Sequence, residues 1–238
     1  MRIVVLLFVA GVGCDARVES IPRPTSESKP GSISGAVRFS GKLPRPRIEQ
    51  EQPSHIDRTK AKSLIVGEDG ALANVFVAIE SGLSGAYPAP KDPVRLDQIG
   101  YLYEPRVLGV MKDQPLVVRN SDEAMHNVCF NPTLNPPGNV GQPRKGDQAT
   151  FRFPKVERGI QVKCDVHPWM VAWLHVSDHP YFTVTGRDGK FRLSSVPPGE
   201  YEILAWHERF QNAPLVAKVR VESGKNSTLD FTFEAPRK

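Results

Sequence analysis

The sequence predicts an all-β chain of sandwich type, and three observations support this class. No window longer than about ten residues keeps an i, i+3, i+4, i+7 apolar stripe free of Pro or Gly, so amphipathic helices are not expected. Short alternating or β-branched segments recur along the chain instead. Turn residues separate most of these segments, and Asp188-Gly189 is a strong hairpin signal because Gly tolerates a positive φ.

The first two predicted strands, 32–39 and 73–80, are rich in alternating or β-branched residues. The other strands are expected at 116–119, 126–130, 150–153, 161–164, 172–176, 181–185, 190–193, 199–206, 215–221 and 227–233. The segment 131–146 holds four Pro, three Gly and three Asn, which predicts a surface loop. A domain boundary is expected near 176–180, where a new set of hairpin signals begins.

Composition and charge favour a folded, globular protein. Of 238 residues, 39% are hydrophobic and 24% charged, and the net charge of +5 is scattered along the chain. No cluster of Lys and Arg is interleaved with aromatic residues, so nothing in the sequence supports nucleic-acid binding.

The N-terminus is typical of an exported protein. Arg2 precedes the apolar run 3–10, which is too short to span a bilayer, and small residues lead to Cys14. The end of this segment, 11–14, resembles a bacterial lipobox, although Gly11 departs from the usual branched aliphatic residue. The resemblance implies a lipoprotein signal peptide at 1–13, lipidation of Cys14 and a flexible linker at 14–30. Ordinary cleavage and an uncleaved anchor are the alternatives.

A short motif near the middle of the chain carries the chemistry. Cys164, His167 and Met170 form a Cys-x-x-His-x-x-Met pattern, and His126 opens a strand-like run upstream. Copper that cycles between one and two positive charges is held by imidazole nitrogen together with soft thiolate and thioether sulfur. These residues are therefore candidate ligands of one type 1 copper ion, with Met170 as a weak axial ligand.

These two segments resemble the copper-binding segments of the cupredoxins, and of amicyanin in particular. The match covers His126-Asn127-Val128 and the loop from Cys164 to Met170, including its Pro and aromatic residue. By this resemblance Asn127 supports the cysteine loop through hydrogen bonds. It also implies that His167 forms the exposed edge for electron transfer and that Trp169 contributes to the contact surface.

The wider chain is similar to exported bacterial methylamine-utilisation and plastocyanin-like proteins. The similar segments are 97–98, 105–110, 120–126, 142–146, 179–185, 197–201 and 205–207. They imply a Greek-key cupredoxin-like domain at 31–178, followed by a smaller carboxypeptidase-regulatory-like, transthyretin-related sandwich at 179–238. Relatives often have Cys and His where Tyr101 and Arg106 stand, so a second disulfide or metal site is not carried over.

This resemblance implies a one-electron carrier of the periplasm or cell envelope, anchored to the membrane by lipid. Its partner would be a redox protein such as a cytochrome or a dehydrogenase. No nucleophile elbow, phosphate loop or carboxylate pair suggests an enzyme.

Several other interpretations stay open at this point. A disulfide between Cys129 and Cys164 would remove the thiolate, although Cys129 is expected on the opposite strand face from His126. Zinc could occupy two His and one Cys, but structural zinc sites rarely use Met. The chain could also deliver copper, or act as an envelope binding or adhesion module, because small sandwiches host many functions.

Overall fold

The structure is a computed structural model that describes residues 28–42 and 63–235. Within these ranges the chain forms β-strands and two short 3-10 helices, Glu68–Gly70 and Glu208–Phe210, with no α-helix. The predicted all-β class is confirmed. Across the described residues, no helix has the length and apolar character needed to cross a membrane. The expected signal peptide 1–13, Cys14 and most of the linker 14–30 lie outside the described residues.

The strands are numbered in chain order. They are β1 Gly31–Ser40, β2 Phe76–Ser81, β3 Val94–Ile99, β4 Leu102–Glu104, β5 Val107–Met111, β6 Leu116–Asn120, β7 His126–Phe130, β8 Gly138–Gln142, β9 Gln148–Phe151, β10 Glu157–Lys163, β11 Val171–Ser177, β12 Phe182–Val184, β13 Lys190–Val196, β14 Gly199–Trp206, β15 Leu215–Val221, β16 Asn226–Thr228 and β17 Phe231–Glu234.

Every predicted strand overlaps an observed one, but β3, β4, β5 and β8 were not predicted. The strand β8 lies inside 131–146, where the sequence predicts a loop. Its backbone pairs antiparallel with β7 in spite of its Gly and Asn residues. Because β8 is at the edge of its sheet, it needs little side-chain packing of its own, and the alternation used for prediction is absent.

The strands form four sheets. The first contains β13, β1 and β16 in this order, with β17 also paired to β1. The second has the order β12-β2-β14-β15, the third β5-β11-β10-β7-β8 and the fourth β4-β3-β6-β9.

Three apolar layers join these sheets in a stack. Ile33 of β1 and Ile203 of β14 belong to the core between the first and second sheets. Leu96 of β3 and Leu174 of β11 belong to the core between the third and fourth sheets. Trp173, together with residues of β2 and β14, forms a smaller cluster between the second and third sheets. The first and second sheets form one sandwich, the third and fourth sheets form another, and the two share a buried interface.

The strand β11 shows how one segment serves two of these layers. Leu174 faces the core of the third and fourth sheets, whereas Trp173 faces the second sheet. His175 also faces the second sheet, where its ring stacks on Phe76 with 4.1 Å between centroids. Burial on both faces explains why this strand is an almost continuous apolar run.

The sheets divide the chain differently from the expected division at 178/179. The strands β1 and β2 lie within 31–178, yet they pair with β12, β13, β14, β16 and β17. We call β1, β2 and β12–β17 the terminal sandwich and β3–β11 the inserted sandwich. The pairing partners of β1 are more than 140 residues away in sequence, and local alternation does not specify such long-range pairing.

Candidate metal centre

Three neighbouring strands of the third sheet bring the predicted ligands to one end of the inserted sandwich. His126 is the first residue of β7, and the loop from Cys164 to Met170 joins β10 to β11. The strand β10 pairs antiparallel with both β7 and β11. Its register places Cys129 opposite Lys163, so the start of β7 lies beside the loop that follows β10. The topology thus brings a residue distant in sequence against the short motif.

The side chains of His126, Cys164 and His167 converge at this end. Their ligand atoms all lie within 4.8 Å of one another, and no other group of three metal-binding side chains occurs in 28–42 or 63–235. The Nδ1 atoms of His126 and His167 are 3.0 Å apart, and Cys164 Sγ is 3.8 Å from His167 Nδ1. Two nitrogens that each bind a metal at about 2 Å must lie within about 4 Å of each other, so the observed separation fits a shared ion.

The loop itself is closed by backbone hydrogen bonds. The amide of Cys164 donates to the carbonyl of Met170 at 3.2 Å, and the amide of Met170 donates to His167 at 2.9 Å. Met170 is fully buried in the same apolar cluster as Cys164. The loop therefore holds its thiol and thioether residues on the core side, while His167 stays half-buried at the surface.

Asp122 fixes the proton on the ring of His126, and sequence reasoning missed it. Asp122 Oδ2 lies 2.9 Å from His126 Nε2, while its carboxylate also accepts hydrogen bonds from the amides of Gly100 and Tyr101, each at 2.8 Å. Burial raises the pKa of Asp122, but these hydrogen bonds outweigh it and lower the pKa overall. An ionised Asp122 accepts the Nε2–H bond, so Nδ1 is the His126 nitrogen that faces Cys164 and His167 and would bind a metal once it is deprotonated.

Tyr101 packs against both histidine rings, which the sequence did not indicate. Its ring is edge-to-face with His126 at 5.6 Å and with His167 at 5.2 Å between centroids. The backbone of Tyr101 has a φ of 59°, and its carbonyl accepts a hydrogen bond from Trp169 Nε1 at 3.1 Å. Trp169 is half-buried and packs against His167. These aromatic contacts restrict the orientation of both imidazoles.

Asn127 connects the strand of His126 to the cysteine loop. Its Nδ2 donates to Asp165 Oδ2 at 3.0 Å, and its Oδ1 accepts from the amide of Asp165 at 2.6 Å. Asn139 of β8 bonds to both side chains. These contacts link three segments of chain directly behind the converging ligands.

The electrostatics of the site favour a thiolate. Burial raises the pKa of Cys164, but a hydrogen bond with the His126 side chain and those from the amides of Asn127, His167 and Val166 outweigh it, so the pKa is lowered. Burial lowers the pKa of His126, whereas its contacts with Cys164 and Asp122 raise it, and the net direction is upward. A thiol whose pKa is lowered is the better metal ligand, because the thiolate is the form that binds.

Cys129 and Cys164 are both free thiols in this structure. Cys129 is half-buried, on the opposite strand face from the fully buried His126. Burial raises the pKa of Cys129, and the nearby charge of Asp165 raises it further.

The other described histidines lie apart from this cluster. His179 Nε2 donates to the carbonyl of Ile79, and His175 and His207 are fully buried in other apolar layers. Burial and the charges of Arg106 and Arg209 lower the pKa of His207 to about 3. Their pKa values are lowered mainly by burial, so these histidines are neutral components of the cores.

Comparison with known proteins gives only distant structural similarity. No family model matches the sequence, and no curated protein matches it. A copper-containing nitrite reductase from Thermus scotoductus is 19% identical, with a TM-score of 0.33, over 41% of this chain. The matched part is 25% of that protein, so this chain spans well under two thirds of its length.

Two smaller solved structures match over nearly their full length. A purple cupredoxin from Nitrosopumilus maritimus is 19% identical over 35% of this chain and 99% of its own, with a TM-score of 0.31. A Cu(I) form of an amicyanin variant is 22% identical over 44% of this chain and 99% of its own, with a TM-score of 0.33.

Proposed function

We propose that this chain is a type 1 copper protein that transfers single electrons. The observation that carries the proposal is the convergence of the His126, Cys164 and His167 ligand atoms within 4.8 Å, with Met170 buried beside them. Two imidazoles, one thiolate and one thioether are a donor set suited to copper in both oxidation states. Bound copper would supply a reversible one-electron couple at this position.

The surrounding residues support transfer with little rearrangement. Asp122 holds the His126 ring from behind, Tyr101 contacts both imidazoles, and Asn127 ties β7 to the ligand loop. Such outer contacts fix ligand orientation and resist a change of geometry when the charge at the centre changes. The fully buried Met170 and nearly buried Cys164 keep water away from the sulfur side of the site.

We further propose that electrons enter and leave through the surface at His167. Four large apolar side chains are exposed on segments around this end: Ile99, Met125, Val140 and Val166. Met125 and Val166 directly precede the two histidines in sequence. The Met125 side chain reaches over Gly141 of β8, next to Val140. Exposed apolar surface at a redox centre suits brief docking of a redox protein, such as a cytochrome or a dehydrogenase.

The cellular setting is also a proposal. A signal peptide at 1–13 and lipidation of Cys14 would place the protein at the bacterial cell envelope, held to the membrane by its lipid. The terminal sandwich would be the carboxypeptidase-regulatory-like unit, and the chain would act as a carrier rather than an enzyme.

Spectroscopy of the copper-loaded protein tests the copper site. Addition of copper should give an intense blue or green charge-transfer band, together with the narrow hyperfine pattern of type 1 copper in electron paramagnetic resonance. Cys164→Ser should abolish the band. Cys129→Ser is the matched control and should keep it, because Cys129 lies on the other face of β7.

Electron exchange tests the transfer role separately. We expect the reduced protein to be oxidised rapidly and reversibly by a small cytochrome. A colourless copper complex would contradict the copper-site assignment. A blue protein that releases copper to an acceptor and exchanges no electrons would instead overturn electron transfer in favour of copper delivery.

A further inference from the structure

The terminal sandwich carries a polar groove that contains none of the candidate metal ligands. The groove has a volume of about 500 Å³ and lies where β1, β13 and the turn before β16 meet. The polar and charged side chains that line it are Ser32, Arg192, Ser194, Ser195, Lys225 and Asn226. Two of these are cations and none is Asp or Glu, so the lining has a net positive charge.

The hydrogen bonds in the groove show an excess of donors. Arg192 donates to Ser32 Oγ at 2.9 Å and to Asn226 Oδ1 at 3.3 Å. The same Asn226 oxygen also accepts from Ser32 Oγ at 2.8 Å, and Asn226 Nδ2 donates to Ser34 Oγ at 2.9 Å. A carbonyl oxygen has two lone pairs, which Arg192 and Ser32 occupy, whereas a guanidinium has five N–H donors, of which Arg192 uses two on described residues. The guanidinium charge is met in the groove by neutral groups alone.

The backbone beside Arg192 is irregular. Gly31 pairs with Val196 and Ile33 with Leu193, so Ser194 and Ser195 together oppose the single residue between them on β1. This arrangement is a β-bulge, a feature enriched next to functional sites. Ser195 has a φ of 57°, an unfavourable conformation for a residue with a side chain. Both residues of the bulge, Ser194 and Ser195, carry a hydroxyl group and line the groove.

The second cation is available to a ligand. Lys225 Nζ forms an ion pair with Glu222 at 2.5 Å, and both side chains are mostly exposed. Exposed pairs of this kind contribute little stability, so the ammonium can turn toward an anion without a large cost. Glu222 itself does not line the groove.

From these observations we infer that the groove binds a phosphate group, either inorganic phosphate or the phosphate of an anionic lipid headgroup. A phosphate oxygen accepts several hydrogen bonds, and the planar guanidinium matches its geometry with two parallel donors. Phosphate would supply acceptors for the remaining N–H donors of Arg192, and its charge would balance those of Arg192 and Lys225. This inference is independent of the copper site.

The first experiment titrates the full chain with inorganic phosphate at constant ionic strength and follows backbone amide signals by NMR. We expect saturable shifts confined to residues such as Ser194, Ser195 and Asn226. Arg192→Gln should weaken binding by about tenfold or more, because it removes a charged donor. Arg38→Gln is the matched control, since Arg38 is an exposed residue of β1 outside the groove, and should bind as the unmodified chain does.

Shifts that do not saturate, or that are equal in Arg192→Gln and the unmodified chain, would overturn the inference. Vesicles then distinguish the two sources of phosphate. Binding to phosphatidylglycerol vesicles that is lost in Arg192→Gln, displaced by free phosphate and absent with phosphatidylcholine would identify a lipid headgroup. Saturable phosphate binding without any vesicle difference between Arg192→Gln and Arg38→Gln would identify free phosphate as the ligand.

Discussion

The contact between Asp122 and His126 allows a quantitative test of the proposed copper site. Asp122→Asn keeps the size of the side chain but removes its charge and replaces one acceptor oxygen by an NH₂ group. In the native protein the two carboxylate oxygens accept three hydrogen bonds, from the amides of Gly100 and Tyr101 and from His126 Nε2. An amide cannot accept all three in the same geometry, so at least one N–H loses its partner.

The expected loss is about 10–100-fold in copper affinity, which is the usual effect of removing an outer partner of a metal-binding histidine. This corresponds to ~1.4–2.8 kcal/mol, and it agrees with about 1.5–3 kcal/mol for a hydrogen bond to a charged group. Because the ring of His126 would no longer be fixed, we also expect a changed hyperfine splitting in electron paramagnetic resonance.

Competition with a chelator of known affinity measures the copper affinity of both forms. Asp230→Asn is a suitable control, since Asp230 Oδ1 accepts a hydrogen bond from the amide of Ala36 in the other sandwich. That variant should bind copper normally. If Asp122→Asn binds copper as tightly as the native chain, with an identical spectrum, then the carboxylate does not orient His126 and the reasoning fails.

Further predictions concern the interface and the buried histidines. Glu208 accepts hydrogen bonds from Arg106 across the two sandwiches, with its side chain 6% exposed, so Glu208→Gln should lower the free energy of unfolding by about 3 kcal/mol in denaturant titration. Gly109→Ala would place Cβ 2.5 Å from a ring carbon of Phe182 and should lower the free energy of unfolding by about 2 kcal/mol. Gly186→Ala is the control: its Cβ would lie 3.5 Å from the nearest atom, so the free energy of unfolding should change by less than about 0.5 kcal/mol. Equal effects would contradict the packing at this interface. The pKa of His207 is lowered to about 3 in the folded protein, so its stabilising contribution is complete above pH 6.5 and is lost as the pH falls toward 3, by about 3 kcal/mol at pH 4. His207→Leu should flatten the stability profile between pH 6 and 4, and an unchanged profile would exclude this residue as the cause.

Sequence reasoning worked best where the local pattern determines the structure. The runs β14 and β15 were predicted with the bounds that the structure shows. One face of β15 packs on a core and the other is exposed, which gives its alternation, whereas β14 is buried on both faces along its second half. The three side chains that converge had also been selected, since two of them share one short loop. The third, His126, was identified by its motif and by its position in β7.

Features that depend on distant contacts were not predicted. Tyr101 reaches His126 from the turn before β4, which lies in another sheet. Asp122 is only four residues from His126, but its contact depends on the turn between them, which the sequence did not specify. The pairing of β1 with the C-terminal strands requires closure of a very long loop. The alternation of residues within β1 does not specify which strand pairs with it. The strand β8 lacks a periodic pattern because β7 supplies its register.

The insertion of one sandwich into the other has a practical consequence for anyone who dissects this protein. The chain crosses between the sandwiches twice, after β2 and again before β12. Cutting at 178/179 would deprive the C-terminal fragment of the two strands at the centre of its sheets and leave those strands attached to the wrong fragment. The inserted sandwich has to be excised as 94–177, and the remaining ends rejoined by a short linker. Two covalent crossings and the shared buried cluster restrict rotation of the inserted sandwich against the terminal sandwich more than a single linker would.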